Sequence, residues 1–190
     1  MKNLRQHQRV AVFADVQNIY YGAKKIFNSK IDFKNLLQRA VSDRQFVRAI
    51  SYVVSKEDID ASSFINLLRD IGFEVKIKNL RERSDGSVKG NWDIQMAMDM
   101  VAMADKVEVI VLISGDGDFV PVVEWLQHKG VYVELYSFKS STALDLIEKV
   151  DRFIEIDQSF MLNTNLVIDE NDIEHFSDNS RVLSISKKKK

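Results

Sequence analysis

Val109-Ile110-Val111-Leu112-Ile113-Ser114-Gly115-Asp116-Gly117-Asp118-Phe119 decides the fold of this 190-residue chain. Five consecutive apolar residues, four of them β-branched, are the pattern of a strand buried on both faces. The Gly-Asp turn after them ends that strand abruptly. Only one other stretch reads the same way: residues 10–14, Val-Ala-Val-Phe-Ala, closed by Asp15. Two fully buried strands belong side by side at the centre of a parallel sheet.

The remaining pattern alternates strand and helix. A helix is expected over 16–27, and another begins near Asp32, its cap. Strands are expected over 46–54, over 73–77 and 131–136, which alternate as half-exposed strands do, and, short and last, over 153–156. Helices are expected over 58–71, closed by Gly72, and over 91–104, 119–129 and 142–150. Pro121 suits the first turn of its helix, where its missing N–H has no intrahelical partner. Residues 80–90 are polar, charged and glycine-containing, and read as a loop. This alternation predicts a three-layer α/β/α sandwich with a mostly parallel sheet of order 3-2-1-4-5. Its switch point lies between strands 1 and 4, and ligands bind there, outside the carboxyl ends of the strands. Residues 1–160 form the domain. Residues 161–190 are a polar tail, expected to be largely disordered, ending in Lys187-Lys188-Lys189-Lys190.

Composition narrows the chemistry. There is no cysteine, which excludes disulfides, thiolate metal sites and cysteine nucleophiles. His7, His128 and His175 are too scattered for a local metal motif. No apolar run approaches the ~18 residues needed to span a bilayer. With no export signal legible either, a cytoplasmic location is expected. Twenty-seven Lys/Arg against 28 Asp/Glu give a net charge of −1, which taken alone argues against a nucleic-acid partner.

Carboxylates, hydroxyls, Lys and Arg are what remain for catalysis. Asp15 ends strand 1, and Asp116 and Asp118 follow strand 4. Asp93 opens the helix that leads into strand 4, in Lys89-Gly90-Asn91-Trp92-Asp93. All four belong at one edge of the sheet. Each could be no more than a helix cap, but Asp116 less so, because Asp118 takes the expected cap position. Like charges gathered at one edge repel unless a cation offsets them. Hard oxygen donors around an open position suit Mg²⁺ or Mn²⁺. A divalent ion held in this way can activate water and stabilise a phosphoryl transition state without cysteine or histidine. Asn18 is placed to hold a water or a phosphate oxygen, and Ser114 to bond a carboxylate or the substrate. Asp99 falls six residues after Asp93, about 240° around a helix, which turns it toward the surface. Met96, Met98, Met100 and Met103 read as core filling, and Trp92 as packing at the helix start. Neither a P-loop, a dinucleotide fingerprint nor a G-x-S-x-G elbow is present.

The stretches Phe13-Ala14-Asp15-Val16-Gln17-Asn18, Lys89-Gly90-Asn91-Trp92-Asp93, Ser114-Gly115-Asp116-Gly117-Asp118-Phe119 and Gly130-Val131-Tyr132-Val133 together resemble the NYN domain. This is the LabA-like branch of the PIN-like nuclease superfamily. The similarity covers about residues 9–157. It implies a PIN-like sandwich and metal-dependent hydrolysis of RNA. Asp15, Asp93 and Asp116 would be the principal metal acids, with Asp118 in support and Asp99 added to the metal set. The family pattern has one residue between the glycine and the aspartate, where this chain has Asn91-Trp92. Single-stranded RNA is the implied partner, and a homodimer is left open. Lys76, Lys78, Arg81, Arg83 and Lys89 would guide the strand; residues 76–89 hold three more bases than acids. Such side chains contact backbone phosphates with little sequence preference. Two rivals are a catalytically weak RNA-binding or regulatory module on the same fold and a carboxylate–metal phosphatase. The second would need its D-x-D after strand 1 and not after strand 4.

Overall fold

The computed structural model describes residues 5–56, 61–82, 88–89 and 92–162. β1 (Arg9–Asp15) lies beside the later strand Val109–Ile113, paired in parallel from Val10↔Val109 to Ala14↔Ile113. On the other side of β1 come β2 (Gln45–Lys56) and then β3 (Glu74–Glu82), both parallel. The two-residue β4 (Val88–Lys89) pairs antiparallel with the end of β3. The central strand Val109–Ile113 is therefore β5, and beyond it lie β6 (Tyr132–Ser137) and β7 (Arg152–Glu155), again parallel. The sheet runs β4-β3-β2-β1-β5-β6-β7. Counted over its parallel strands alone, the order is 3-2-1-4-5-6, the expected order with the short last strand added at the edge.

One expectation needs correcting here. Residues 80–90 read as a loop, yet β3 continues through Glu82, and Val88 and Lys89 pair back onto it. Charged residues are compatible with an edge that faces solvent, so polarity alone did not mark a loop. Residues 83–87 of that segment, and 90 and 91, lie outside the described residues.

Alternation along β1 divides the core. Val10, Val12 and Ala14 face α1 (Val16–Phe27), α2 (Phe33–Val41) and α3 (Ser62–Ile71), burying against Ile19, Leu36 and Leu68. Ala11 and Phe13 face α4 (Asp93–Met103), α5 (Val120–His128) and α6 (Leu144–Lys149), burying against Met96, Met100, Val123 and Leu126. Asp32 caps α2 as expected, its carboxylate accepting from Asn35 N–H at 2.9 Å. Gly72 closes α3 with φ +114°, which a side chain would strain. The helix expected from residue 58 begins at Ser62; 57–60 lie outside the described residues.

β6 departs from the expected half-exposed pattern, because it is buried from Val133 through Ser137. Glu134 is included in that run, since Arg44 reaches it at 2.9 Å, with the two side chains 5% and 6% exposed respectively. The body extends slightly past 160. Met161 bridges to Ile31, and Leu162 N–H donates to the Lys30 carbonyl. The tail expectation falls on 163–190, outside the described residues. Among the described residues, no helix is long and apolar enough to cross a membrane.

Candidate metal centre

The carboxyl ends of β1 and β5 bring their terminal residues together. Asp15, at the end of β1, accepts a hydrogen bond from Asn18 N–H at 3.1 Å and so caps α1. Burial pushes its carboxyl up to about 6; the Asn18 N–H opposes this, and the charges of Asp93 and Asp116 add to it. Asp15 is thus both a helix cap and a member of the acidic neighbourhood.

Asn18 binds the two strand ends to each other. Its Oδ1 accepts from Gly115 N–H at 2.9 Å, leaving the amine of its amide as the donor end. Gly115 has no room for a side chain. A Cβ there would sit 3.0 Å from both Ser137 Oγ and the Ser141 carbonyl. Ser114 is fully buried, and its hydroxyl accepts from Asp116 N–H at 3.3 Å. Asp116 in turn accepts from Asp118 N–H at 3.0 Å, capping a single 3₁₀ turn, Gly117–Phe119, that precedes α5. The expected cap was Asp118. The extra turn moves the capping position two residues upstream, so Asp116 does the capping and Asp118 stands exposed on the turn.

Asp93 is the first residue of α4, and Trp92 before it makes no side-chain cap. Trp92 instead packs inward, as expected. Its indole N–H donates to the Val53 carbonyl at 3.0 Å, and its ring meets Tyr52 edge-on at 5.6 Å. This placement aims Asp93 at the β5 turn. One carboxylate oxygen each from Asp93, Asp116 and Asp118 lie within 4.8 Å of one another. Octahedral ligands at ~2.1 Å from a Mg²⁺ ion are separated by ~3 to 4.2 Å, so the three donors fit a small hard cation. Asp15 is outside that trio but close enough to feel two of its charges.

Asp99 sits elsewhere. It accepts from Tyr52 O–H at 2.6 Å and from Gln95 at 3.1 Å, and it is ion-paired with Lys76. Burial raises its proton affinity, but these hydrogen bonds outweigh burial and hold its carboxyl below the usual range. Asp99 is thus engaged by Tyr52, Gln95 and Lys76 and is not one of the three clustered donors. Six helical residues carry it to a different side of α4 from Asp93. Met96, Met100 and Met103 are buried as expected, whereas Met98 is 61% exposed.

Of the basic residues, Lys76 is the partner of Asp99, and the Lys78 ammonium lies 5.3 Å over the Trp92 ring. Arg81 and Lys89 face each other in the β3–β4 pair, and Arg83 is outside the described residues. One acid escaped the sequence reading. Asp145, in the first turn of α6, would lie 3.4 Å from a Cβ at Gly117. The available signal was its position, since the helix after β6 also begins at the carboxyl edge beside β5.

The NYN domain model matches residues 9–157. The chain belongs to the NYN domain family. NYN domains belong to the PIN-like nuclease superfamily, and two proteins similar to this chain are informative. Low amplitude and bright protein LabA of Synechococcus elongatus is 29% identical over 167 residues, 82% of this chain and 89% of the relative. A crystal structure of a protein of unknown function from Vibrio parahaemolyticus is 34% identical, with a TM-score of 0.77. It covers 83% of this NYN chain and 98% of its own.

Proposed function

We propose that this NYN domain is a divalent-metal-dependent ribonuclease that hydrolyses RNA phosphodiester bonds. The observation that carries the reading is the convergence of Asp93, Asp116 and Asp118 on one point at the switch of the sheet. These three would hold Mg²⁺ or Mn²⁺, and Asp15 adds negative charge behind them. A bound divalent ion supplies activation of water and neutralises charge developing on the phosphate. The chain supplies position. Asn18, its oxygen committed to Gly115, presents an amide amine to a water or a phosphate oxygen. Ser114 anchors the Asp116 backbone and so fixes that carboxylate. Single-stranded RNA would be guided by the basic stretch 76–89, whose Lys78, Arg81, Arg83 and Lys89 would counter its phosphates. Lys76 takes a smaller part there, since Asp99 already balances its charge.

The test is incubation of single-stranded RNA with the protein and Mn²⁺, with EDTA and Asp116→Asn as controls. Cleavage is expected with Mn²⁺ and is lost in both controls, falling by at least a hundredfold. Cleavage that survives either control overturns the mechanism. Tight RNA binding without cleavage would favour a regulatory RNA-binding module on the same fold.

A further inference from the structure

α4 is apolar on two opposite sides. Met96, Met100 and Met103 form its buried stripe. Ile94 and Met98, 80% and 61% exposed, form with the exposed Ala102 a second stripe about half a turn away. Hydrophobic burial is non-directional and scales with area, so a second apolar stripe weakens the hold of packing on the rotation of α4 about its axis. Trp92 adds no cap to fix it, making no side-chain hydrogen bond to the helix end. Directional polar contacts on this helix include Asp99 to Tyr52 on β2, Asp99 to Lys76 on β3, and the Trp92 indole to the Val53 carbonyl.

We propose that the Tyr52–Asp99–Lys76 clamp sets the rotation of α4 and thereby holds Asp93 against Asp116 and Asp118. Asp99 is then a positioning residue, acting through Asp93 and making no contact with the metal. Half a turn of the helix would carry Asp93 away from the other two acids. It would also bury Ile94 and Met98 in place of the methionine stripe. Tyr52 is suited to the clamp, because burial and its bond to Asp99 hold the phenol far above its ordinary value, so it remains a donor. The link to metal rests on the ribonuclease reading; the rotation of the helix does not.

The absence of cysteine allows a clean test of rotation. Met98→Cys and Met96→Cys are made singly, and thiol reactivity with a maleimide is timed with and without Asp99→Leu. With Asp99 in place, position 98 reacts at least a hundredfold faster than position 96. Asp99→Leu narrows that ratio at least tenfold; an unchanged ratio overturns the clamp. Where Asp99→Leu fails to fold, Lys76→Met is read in the same way. Mn²⁺ titration of the full chain then separates a positioning residue from a ligand. Lys76→Met weakens Mn²⁺ binding about tenfold, the size of effect typical when groups orienting metal ligands are lost. Asp99→Asn, which can still accept from Tyr52, stays within about threefold of the parent. If Lys76→Met tightens Mn²⁺ binding, or Asp99→Asn loses it as completely as Asp93→Asn does, Asp99 is a ligand and the proposal fails. A parent chain that binds no Mn²⁺ overturns the metal reading, while the thiol ratios still decide the clamp.

Discussion

Asp15 is held where its charge is disfavoured. Its folded carboxyl titrates near 6, against 3.8 for an unhindered aspartate, chiefly because it is buried. A carboxyl raised in the folded state contributes stability that is fully present below about pH 4 and is lost as pH rises through about 6. Asp15→Asn keeps the cap on Asn18 N–H and removes the charge. The metal-free variant should therefore match the parent below about pH 4 and exceed it by roughly 2–3 kcal/mol above pH 7. Urea unfolding across that range measures the gap, and a gap independent of pH would contradict the account. The place of Asp15 at the end of a buried strand and its capping of α1 were legible in the sequence, whereas its place outside the trio of Asp93, Asp116 and Asp118 was not. The roles of Asp116 and Asp118 were less legible. Which acid caps depends on a single 3₁₀ turn between β5 and α5, and no residue in Gly117-Asp118-Phe119 dictates that turn.

The turn after β5 works as a unit with its neighbours. Asn18 holds it from α1, and Ala143 N–H donates to the Gly115 carbonyl at 3.0 Å from the segment before α6. Gly115→Ala forces a methyl against the Ser141 carbonyl, a backbone atom that cannot swing aside. A loss of about 1–3 kcal/mol is expected by thermal unfolding. Adding Ser137→Ala should not restore it, because the backbone clash remains; full rescue would show that only the Ser137 hydroxyl was in the way. At this scale the sequence was informative for α1 and α2, each polar on one side. It was uninformative for the rotation of α4, apolar on two sides, and so it gave Met98 to the core.

Across the molecule, the order of the sheet was readable because burial on both faces leaves an uninterrupted apolar run only at the centre. The same logic missed the burial of Glu134 on β6, since a charged residue in a strand reads as solvent-facing until its partner is known. That partner, Arg44, is 90 residues away in sequence and fixes the α2–β2 connection to β6. Removing one charge of such a pair strands the other. Glu134→Gln should cost about 3–5 kcal/mol by chemical denaturation. A cost below about 1 kcal/mol would mean that Arg44 finds compensation elsewhere.

The near-neutral net charge, which argued against nucleic acid at first sight, also makes sense at this scale. It averages the stretch 76–89, with three more bases than acids, against an acidic switch point, and on the proposed reading the acids are the part that would take a cation. Anomalous scattering from a crystal soaked in Mn²⁺ locates that cation directly. The account predicts a peak bonded by Asp93, Asp116 and Asp118, lost in Asp116→Asn. A saturating soak that leaves this point empty, with the three carboxylates in place, would contradict it.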